Sequence, residues 1–392
     1  MQAFVPQKII IEAAVAHEAL TQRLKGKFEK VPFEIVENYQ SWKEPAPISA
    51  AKRILALAEQ RGRALKPFPK IKHAINLGDY VFNPVSNCHL ECSYCILQSY
   101  LQNNPVLTVF ANTGYFLQAI REASQVHAHT SLRFGTGELS DSLALDDLTE
   151  LSRELVPFFA ELSNAYLELK TKSNCISHLL KLDPKGHTVI SWSLSPQNIV
   201  EREELKCASL AERLDAARQV QQAGYAVGLH LDPMIYFEGW EQAYETLVEQ
   251  ISQNLDPQRI AWVSIGSLRF DKELKAIATE RFPHTSIFAE DFVAAPDGKM
   301  RYFKTLRSSM YRRVWTLLEE WSQDFPRYLC MEAPWMWEEV TRQKAPRAEE
   351  IEAKLVQRLR SLSREKIATS LCSSQWRLKA ISLHAPNKFK IS

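Results

Sequence analysis

Three cysteines within eight residues constrain this chain more than any other feature: Asn83-Pro-Val-Ser-Asn-Cys88-His-Leu-Glu-Cys92-Ser-Tyr-Cys95-Ile-Leu-Gln98. The C-x3-C-x2-C run follows a short apolar strand, Tyr80-Val-Phe82. Thiolates at this spacing are ligands for an iron–sulfur cluster. A protein-bound [4Fe–4S] cube takes four thiolates, so a run of three leaves one iron open to another ligand. Zinc is the alternative. A structural zinc site needs a fourth ligand, which would be His89 inside the loop or a distant cysteine.

The 392 residues are 45% hydrophobic and 24% charged, enough for a large core without a staple. A net charge of +2 means that any basic surface must be local. No apolar run approaches the roughly 18 residues of a membrane span. Met-Gln-Ala-Phe-Val-Pro at the start has no basic region followed by an apolar one, so secretion is not expected. Four of the seven cysteines (Cys175, Cys207, Cys330 and Cys372) stand singly, which is not a disulfide framework. A reducing, cytoplasmic compartment fits this usage.

Residues 4–40 read as strand, helix, strand, with Ile9–Ile11 and Phe33–Val36 as the strands. Pro47–Pro69 reads as a basic amphipathic segment carrying Lys52, Arg53, Arg61 and Arg63, closed by the breaker Lys66-Pro-Phe-Pro-Lys-Ile-Lys. From Tyr80 onward, strands are expected at Leu107–Ala111, Ser131–Phe134, Tyr166–Lys170, Val189–Ser193, Val227–Asp232 and Trp262–Ile265. Helices at Ser142–Leu162, Leu210–Ala223 and Trp240–Asn254 separate them. Strand–helix repetition implies a parallel sheet, doubly wound or curled into a full or partial barrel. In either form, site residues gather at the carboxyl ends of the strands.

The cysteine loop, with Tyr94 before its last cysteine, resembles that of the radical S-adenosylmethionine superfamily. In that superfamily the open iron holds the methionine moiety of S-adenosylmethionine, and Tyr94 would lie against its adenine. Further segments resemble the spore photoproduct lyase family. These are Phe4-Val-Pro-Gln7, Lys27-Phe-Glu29, Leu97-Gln98, Pro105, Arg133-Phe134, Ser140-Asp141, Thr171-Lys172, His178-Leu-Leu180, Ala223-Gly-Tyr225, Glu238-Gly-Trp-Glu241, Tyr244, Arg269-Phe270 and Arg301-Tyr302, in order from the start to about Phe325. The resemblance implies an α/β fold, a partial (β/α)6 barrel of the triosephosphate-isomerase type. It also implies a [4Fe–4S] cluster on Cys88, Cys92 and Cys95, and contacts to S-adenosylmethionine from Ser140, Lys172 and Ser193. The Lys172 ammonium would pair with the methionine carboxylate or the ribose.

Two positions depart from the family. Where it carries a hydrogen-donating cysteine, this chain has Glu138, in Gly135-Thr-Gly-Glu138. Where it carries a relay tyrosine after the third cysteine, this chain has Ile96. A carboxylic O–H is too strong to donate a hydrogen atom readily. Gly-Thr-Gly-Glu at a strand end is instead similar to the Gly-Gly-Glu motif that holds the methionine ammonium in other members of the superfamily, so Glu138 is expected to bind the cofactor. A helix cap formed by Ser140 and Asp141 is the structural alternative there. His230 and Asp232 share one face of a strand and are candidates for substrate binding or proton transfer, or for a buried structural pair. Cys175, Cys207 and Tyr236 are candidate replacement donors.

Between Asp297 and Glu319 there is no acidic residue, and Lys299, Arg301, Lys304, Arg307, Arg312 and Arg313 alternate with aromatics. By resemblance this is where a hairpin enters DNA, which makes Arg301, Tyr302 and Lys304 candidate nucleic-acid contacts. An amphipathic helix with a solvated basic face over Thr305–Leu318 is the alternative. The expected organisation is an N-terminal α/β extension (1–75), the barrel with its cluster loop (76–290), the basic aromatic segment (291–340) and a helical basic tail (341–392). The expected partners are DNA or a nucleotide, and a reducing electron donor such as a flavodoxin or ferredoxin. A zinc- or cluster-stabilised nucleic-acid-binding protein without catalysis is the competing class.

Overall fold

The computed structural model describes residues 3–42, 47–68, 70–71, 74–75 and 77–364. The purely basic stretch after Glu365, with Cys372, lies outside the described residues.

Seven parallel strands follow one another in chain order across the main sheet: β1 (Tyr80–Val81), β2 (Leu132–Gly135), β3 (Ala165–Thr171), β4 (Thr188–Ser193), β5 (Ala226–Met234), β6 (Ile260–Ser267) and β7 (Arg327–Leu329). Each pairs in parallel with the next, and Lys66–Pro67 adds a short antiparallel strand outside β1. Every residue of β4 and β6 is buried, as expected of a parallel sheet covered on both faces. The crossovers are the helices expected from periodicity, including Leu210–Gln222 and Trp240–Asn254. Ser209 and Glu212 form a reciprocal capping box at the start of the first of these. The result is the curled, partial triosephosphate-isomerase-type barrel.

A second sheet holds Phe33–Val36, Lys8–Glu12, Ile54–Ala58, Leu107–Phe110 and Val85–Ser86, in that spatial order. Two expectations are corrected here. Leu107–Phe110 is a strand, but it pairs with Ile54–Ala58 in this N-terminal sheet and not with the barrel. The supposed basic amphipathic segment contains that fully buried strand, Ile-Leu-Ala-Leu-Ala, with Lys52 folded inward beside it. Charges on both flanks concealed the apolar run.

The expected Ser142–Leu162 helix is divided. Asp146–Thr149 and Leu151–Ala160 meet at Glu150, whose φ of 55° ends the first turn. The C-terminal helix, Ala348–Arg364, closes the amino end of the barrel. From it, Arg358 donates to Ile260 O (3.0 Å) and Gln258 O (2.9 Å), and Glu352 accepts from Gly78 N at 2.5 Å. The opposite, carboxyl end stays free for chemistry.

Candidate active site at the carboxyl mouth of the barrel

The cysteine loop leaves the barrel just after β1 and crosses its carboxyl mouth. Cys92 lies on a two-residue strand, Glu91–Cys92, that pairs antiparallel with Glu204–Leu205. This pairing brings Cys207 against the loop, with 3.6 Å between its Sγ and that of Cys92. Burial first, with Asp141 adding to it, pushes the Cys88 thiol up to about 12, and burial followed by the charge of Cys92 raises Cys95. Cys92 is lowered, chiefly by its contact with Cys207.

The residues of the loop fit an iron–sulfur cluster. Three thiols stand on one short loop, Cys92 buried and Cys88 and Cys95 half-buried. His89, 7% exposed, has no hydrogen-bond partner for either ring nitrogen among the described residues, and burial lowers it to about 4, so it is neutral at pH 7. Lys52 and Lys172 place positive charge beside the thiols. Among the described residues no three His, Cys, Asp or Glu side chains gather as a single-ion site.

Tyr94 is buried. Its ring lies 5.6 Å below the Lys172 ammonium, and its hydroxyl donates to Glu204. Burial lowers the Lys172 amine, but Glu204, Cys92 and Cys207 outweigh it and hold the group at about 12. Lys172 is therefore charged at the end of β3, as expected of a residue meeting a carboxylate. Glu138, half-buried after β2, accepts from Asn83 Nδ2 at 2.9 Å, which ties the Gly-Thr-Gly-Glu turn to the residue that opens the cysteine loop. Ser140 is buried beside it, its hydroxyl donating to Asp141 O at 3.2 Å. Ser193 closes β4, and its carbonyl accepts from Arg213 at 3.0 Å. The five positions expected around a cofactor thus occupy consecutive loops at one mouth.

Two supporting residues, Glu204 and Arg213, escaped the sequence reading, and a third, Asp141, does more than was expected of it. Asp141 is no simple helix cap. It accepts from Leu143 N (3.0 Å), Ala144 N (2.8 Å), Thr171 Oγ1 (2.6 Å) and Lys172 N (2.6 Å), and so binds the Glu138 loop to the end of β3. Glu204 and Arg213 form a fully buried pair at 2.6 Å beneath Tyr94 and Ser193. Arg213 stands among Leu210, Leu214 and Ala217 on the apolar face of its helix, and that misplaced charge was a readable signal.

His230 and Asp232 do face the barrel interior, but each has its own partner. His230 Nε2 meets Glu168 Oε1 at 2.7 Å, and Ser191 Oγ donates to the same oxygen at 2.7 Å. Asp232 accepts both guanidinium ends of Arg269, at 3.0 and 3.1 Å. Burial and the Lys170 charge lower His230; Glu168 is held near 2, as His230, Arg133 and Ser191 overcome the opposing effect of its burial. Cys175 is buried under the Asp141–Asp146 loop, 4.0 Å from Ala144 O. Tyr236 packs on Tyr302. Cys330, just past β7, stands in the mouth with its sulfur 3.6 Å from Arg269 Nη2 and beside Asp232.

The basic segment forms a hairpin, Phe292–Ala294 with Met300–Tyr302, and then an 18-residue helix, Lys304–Trp321. The helical alternative therefore describes most of it. Tyr302 is fully buried against Phe292 and Tyr236, so its ring has no face for a base. Arg301 is buried in a bidentate pair with Asp297 at 2.6 and 2.8 Å. Lys304 is exposed and lies over Trp335 at 5.1 Å. Arg307, Arg312 and Arg313 meet Glu332, Glu339 and Glu245. Apart from Asp297, four residues before Arg301, the acids that balance this segment come from elsewhere in the chain, which is why its own sequence looked unbalanced.

Fold and site together define a barrel of the radical S-adenosylmethionine type, with its three-cysteine loop across the carboxyl mouth. The chain belongs to the spore photoproduct lyase family, whose model matches residues 4–305. It is 27% identical over 297 residues to the spore photoproduct lyase of a Geobacillus species, covering 73% of this chain and 85% of that one. To the Bacillus subtilis lyase it is 26% identical over 294 residues, covering 72% and 84%. A solved spore photoproduct lyase complexed with dinucleoside spore photoproduct superposes with a TM-score of 0.75 at 21% identity, covering 84% of this chain and all of that one. A mutant form with bound AdoMet and the same dinucleoside also gives 0.75 at 21% identity, with the same coverage. Among the described residues, no helix is long and apolar enough to cross a membrane.

Proposed function

We propose that this chain is a radical S-adenosylmethionine enzyme acting on a DNA lesion or a nucleotide. Cys88, Cys92 and Cys95 would hold a [4Fe–4S] cluster, and Glu138, Ser140, Lys172 and Ser193 would hold S-adenosylmethionine. The observation that carries this reading is the gathering of the cysteine loop, Glu138 and the charged Lys172 at one mouth, with Tyr94 beneath the ammonium. When bound, the two cofactors supply a carbon-centred radical that takes hydrogen from the substrate. The protein's own part is positional. Lys172 would meet the methionine carboxylate and Glu138 its ammonium, while the Glu204–Arg213 pair holds the tyrosine and the strand end beneath them.

Glu138 cannot return hydrogen to a substrate radical, so that role falls to another group. We assign it to Cys330, in the mouth beside Asp232 and Arg269, since Cys207 lies against Cys92 and Cys175 is buried under a loop. Anaerobic reconstitution with iron and sulfide, followed by dithionite and S-adenosylmethionine, should release 5′-deoxyadenosine. With dinucleoside spore photoproduct present, turnover should yield the repaired thymidine pair. If zinc binds tightly and no deoxyadenosine forms, the reading fails in favour of a binding protein.

The pairing of Arg301 with Asp297 and the burial of Tyr302 favour a second reading, the same chemistry on a substrate other than nucleic acid. Deoxyadenosine formed without any change in the dinucleoside would select it.

A further inference from the structure

The cysteine loop borders an exposed apolar surface. Twelve large apolar side chains are left exposed among the described residues, and three of them, Ile96, Tyr100 (67%) and Leu205 (42%), are tied directly to this loop. Ile96 follows Cys95, and Tyr100 stands one helical turn further on, its N–H donating to Ile96 O at 3.0 Å. Leu205 sits opposite Glu91 in the bridge that carries Cys92. Val5, 61% exposed, follows Phe4, which packs on His89 of the loop with ring centres 5.3 Å apart. The other exposed apolar residues lie elsewhere in the sequence, from Phe33 to Trp335.

The charge beside this patch is positive. Glu91 is buried in the loop and meets three cations: Lys52 at 3.1 Å, Lys206 at 3.6 Å and Arg281 at 2.7 Å. Buried Glu203, which accepts from Ser93 and Thr285 beside them, offsets a second of these charges, so the three cations leave an excess of one. Lys206 is half exposed and follows Leu205 directly, so part of that excess is at the surface. Lys52 is buried and Arg281 partly so, and their field reaches outward through low-dielectric protein.

We propose that Val5, Ile96, Tyr100, Leu205 and Lys206 form the docking surface for a small acidic one-electron carrier protein. The proposal rests on the cluster reading above, because only a cluster at Cys88–Cys95 gives an incoming electron a destination. In the step, one electron leaves the carrier, which is oxidised by one, and the cluster is reduced by one, with no bond made or broken. An apolar centre with a cationic rim suits a transient complex of this kind: apolar contact holds the complex, and charge guides its formation and orientation. The surface is also the right one by position, since Ile96 adjoins a cluster cysteine and the opposite end of the barrel is closed by the Ala348–Arg364 helix.

The probe is an acidic [2Fe–2S] ferredoxin, with binding measured by calorimetry on the cluster-free and the reconstituted protein at low and high salt. The double variant Tyr100→Ser, Lys206→Glu should weaken binding to both forms by about tenfold or more, and wild-type binding should fall with salt. Bleaching of the cluster by reduced ferredoxin should slow in parallel, while bleaching by dithionite stays unchanged. Wild-type affinity in the double variant, on protein whose cluster dithionite still reduces, overturns the surface. So does binding that is indifferent to salt. Absence of any dithionite-reducible cluster overturns the cluster reading instead, while calorimetry on the cluster-free protein still decides whether the surface binds the carrier.

Discussion

Asp141 accepts the backbone N–H of Lys172 at 2.6 Å, and with that bond the loop after β2 is fastened to the end of β3. Glu138 and Lys172 are the two charges expected on either side of one bound amino acid, so their spacing depends on Asp141. Asp141→Ala removes the acceptor of four hydrogen bonds. It should weaken S-adenosylmethionine binding by about tenfold or more while costing on the order of 2–3 kcal/mol of stability. Equilibrium dialysis and urea denaturation separate the two effects. Lys172→Met should weaken the same binding with a smaller loss of stability.

The Glu204–Arg213 pair is completely buried, so breaking it should hurt more than replacing it. Arg213→Leu alone is expected to cost about 3–5 kcal/mol because Glu204 would be left charged and unpaired. Glu204→Gln with Arg213→Leu should recover a substantial part of that loss. Denaturant midpoints of the two proteins test the difference.

Acid should loosen the barrel through Glu168. Its carboxyl falls from 4.5 to about 2 in the folded chain, so the unfolded chain binds the proton more readily. The stabilisation is complete above about pH 4.5 and fades as pH drops towards 2, amounting to at most about 3 kcal/mol. His230, also lowered, adds in the same direction below its ordinary 6.5. Glu168→Gln should flatten the dependence of the urea midpoint on pH between 2 and 5.

Tyr302 and Lys304 should separate stability from binding. Tyr302→Ala is expected to cost about 3–5 kcal/mol, as deletion of a buried aromatic does. Lys304→Ala should leave the denaturant midpoint within about 0.5 kcal/mol. If the chain binds DNA on this face, Lys304→Ala should also reduce the salt dependence of that binding by about one counterion.

Cys330→Ala should alter the fate of hydrogen in the reaction. With wild-type enzyme in deuterated water, a thiol donor exchanges and delivers deuterium to the product. The alanine variant should lose that label while binding S-adenosylmethionine as tightly as before. Cys175→Ala should leave the labelling unchanged, since Cys175 lies under the Asp141–Asp146 loop.

The sequence exposed those parts of the molecule whose signal is local. Runs such as Thr188–Ser193 and Ile260–Ser267 carry their burial in their own composition, and the cysteine loop carries its chemistry in its spacing. What stayed hidden depends on contacts over long separations. Cys207 reaches Cys92 from 115 positions away, Glu168 reaches His230 from 62, and Glu245 reaches Arg313 from 68. The strand Ile54–Ala58 was missed for a different reason: two alanines and a charged neighbourhood gave it little β-branched character.

The two sheets exchange the segments on either side of the cysteine loop. Tyr80–Val81 enters from the barrel, but Val85–Ser86 pairs with Leu107–Phe110, and both belong to the N-terminal sheet. The loop is therefore anchored at both ends in the smaller layer while it works over the larger one. A shortened chain that begins at the barrel would keep every cysteine and lose the framework that holds them. The first sixty residues and the thiol loop are thus one mechanical unit, and a barrel grafted without the former would present its cysteines on a loop with no frame.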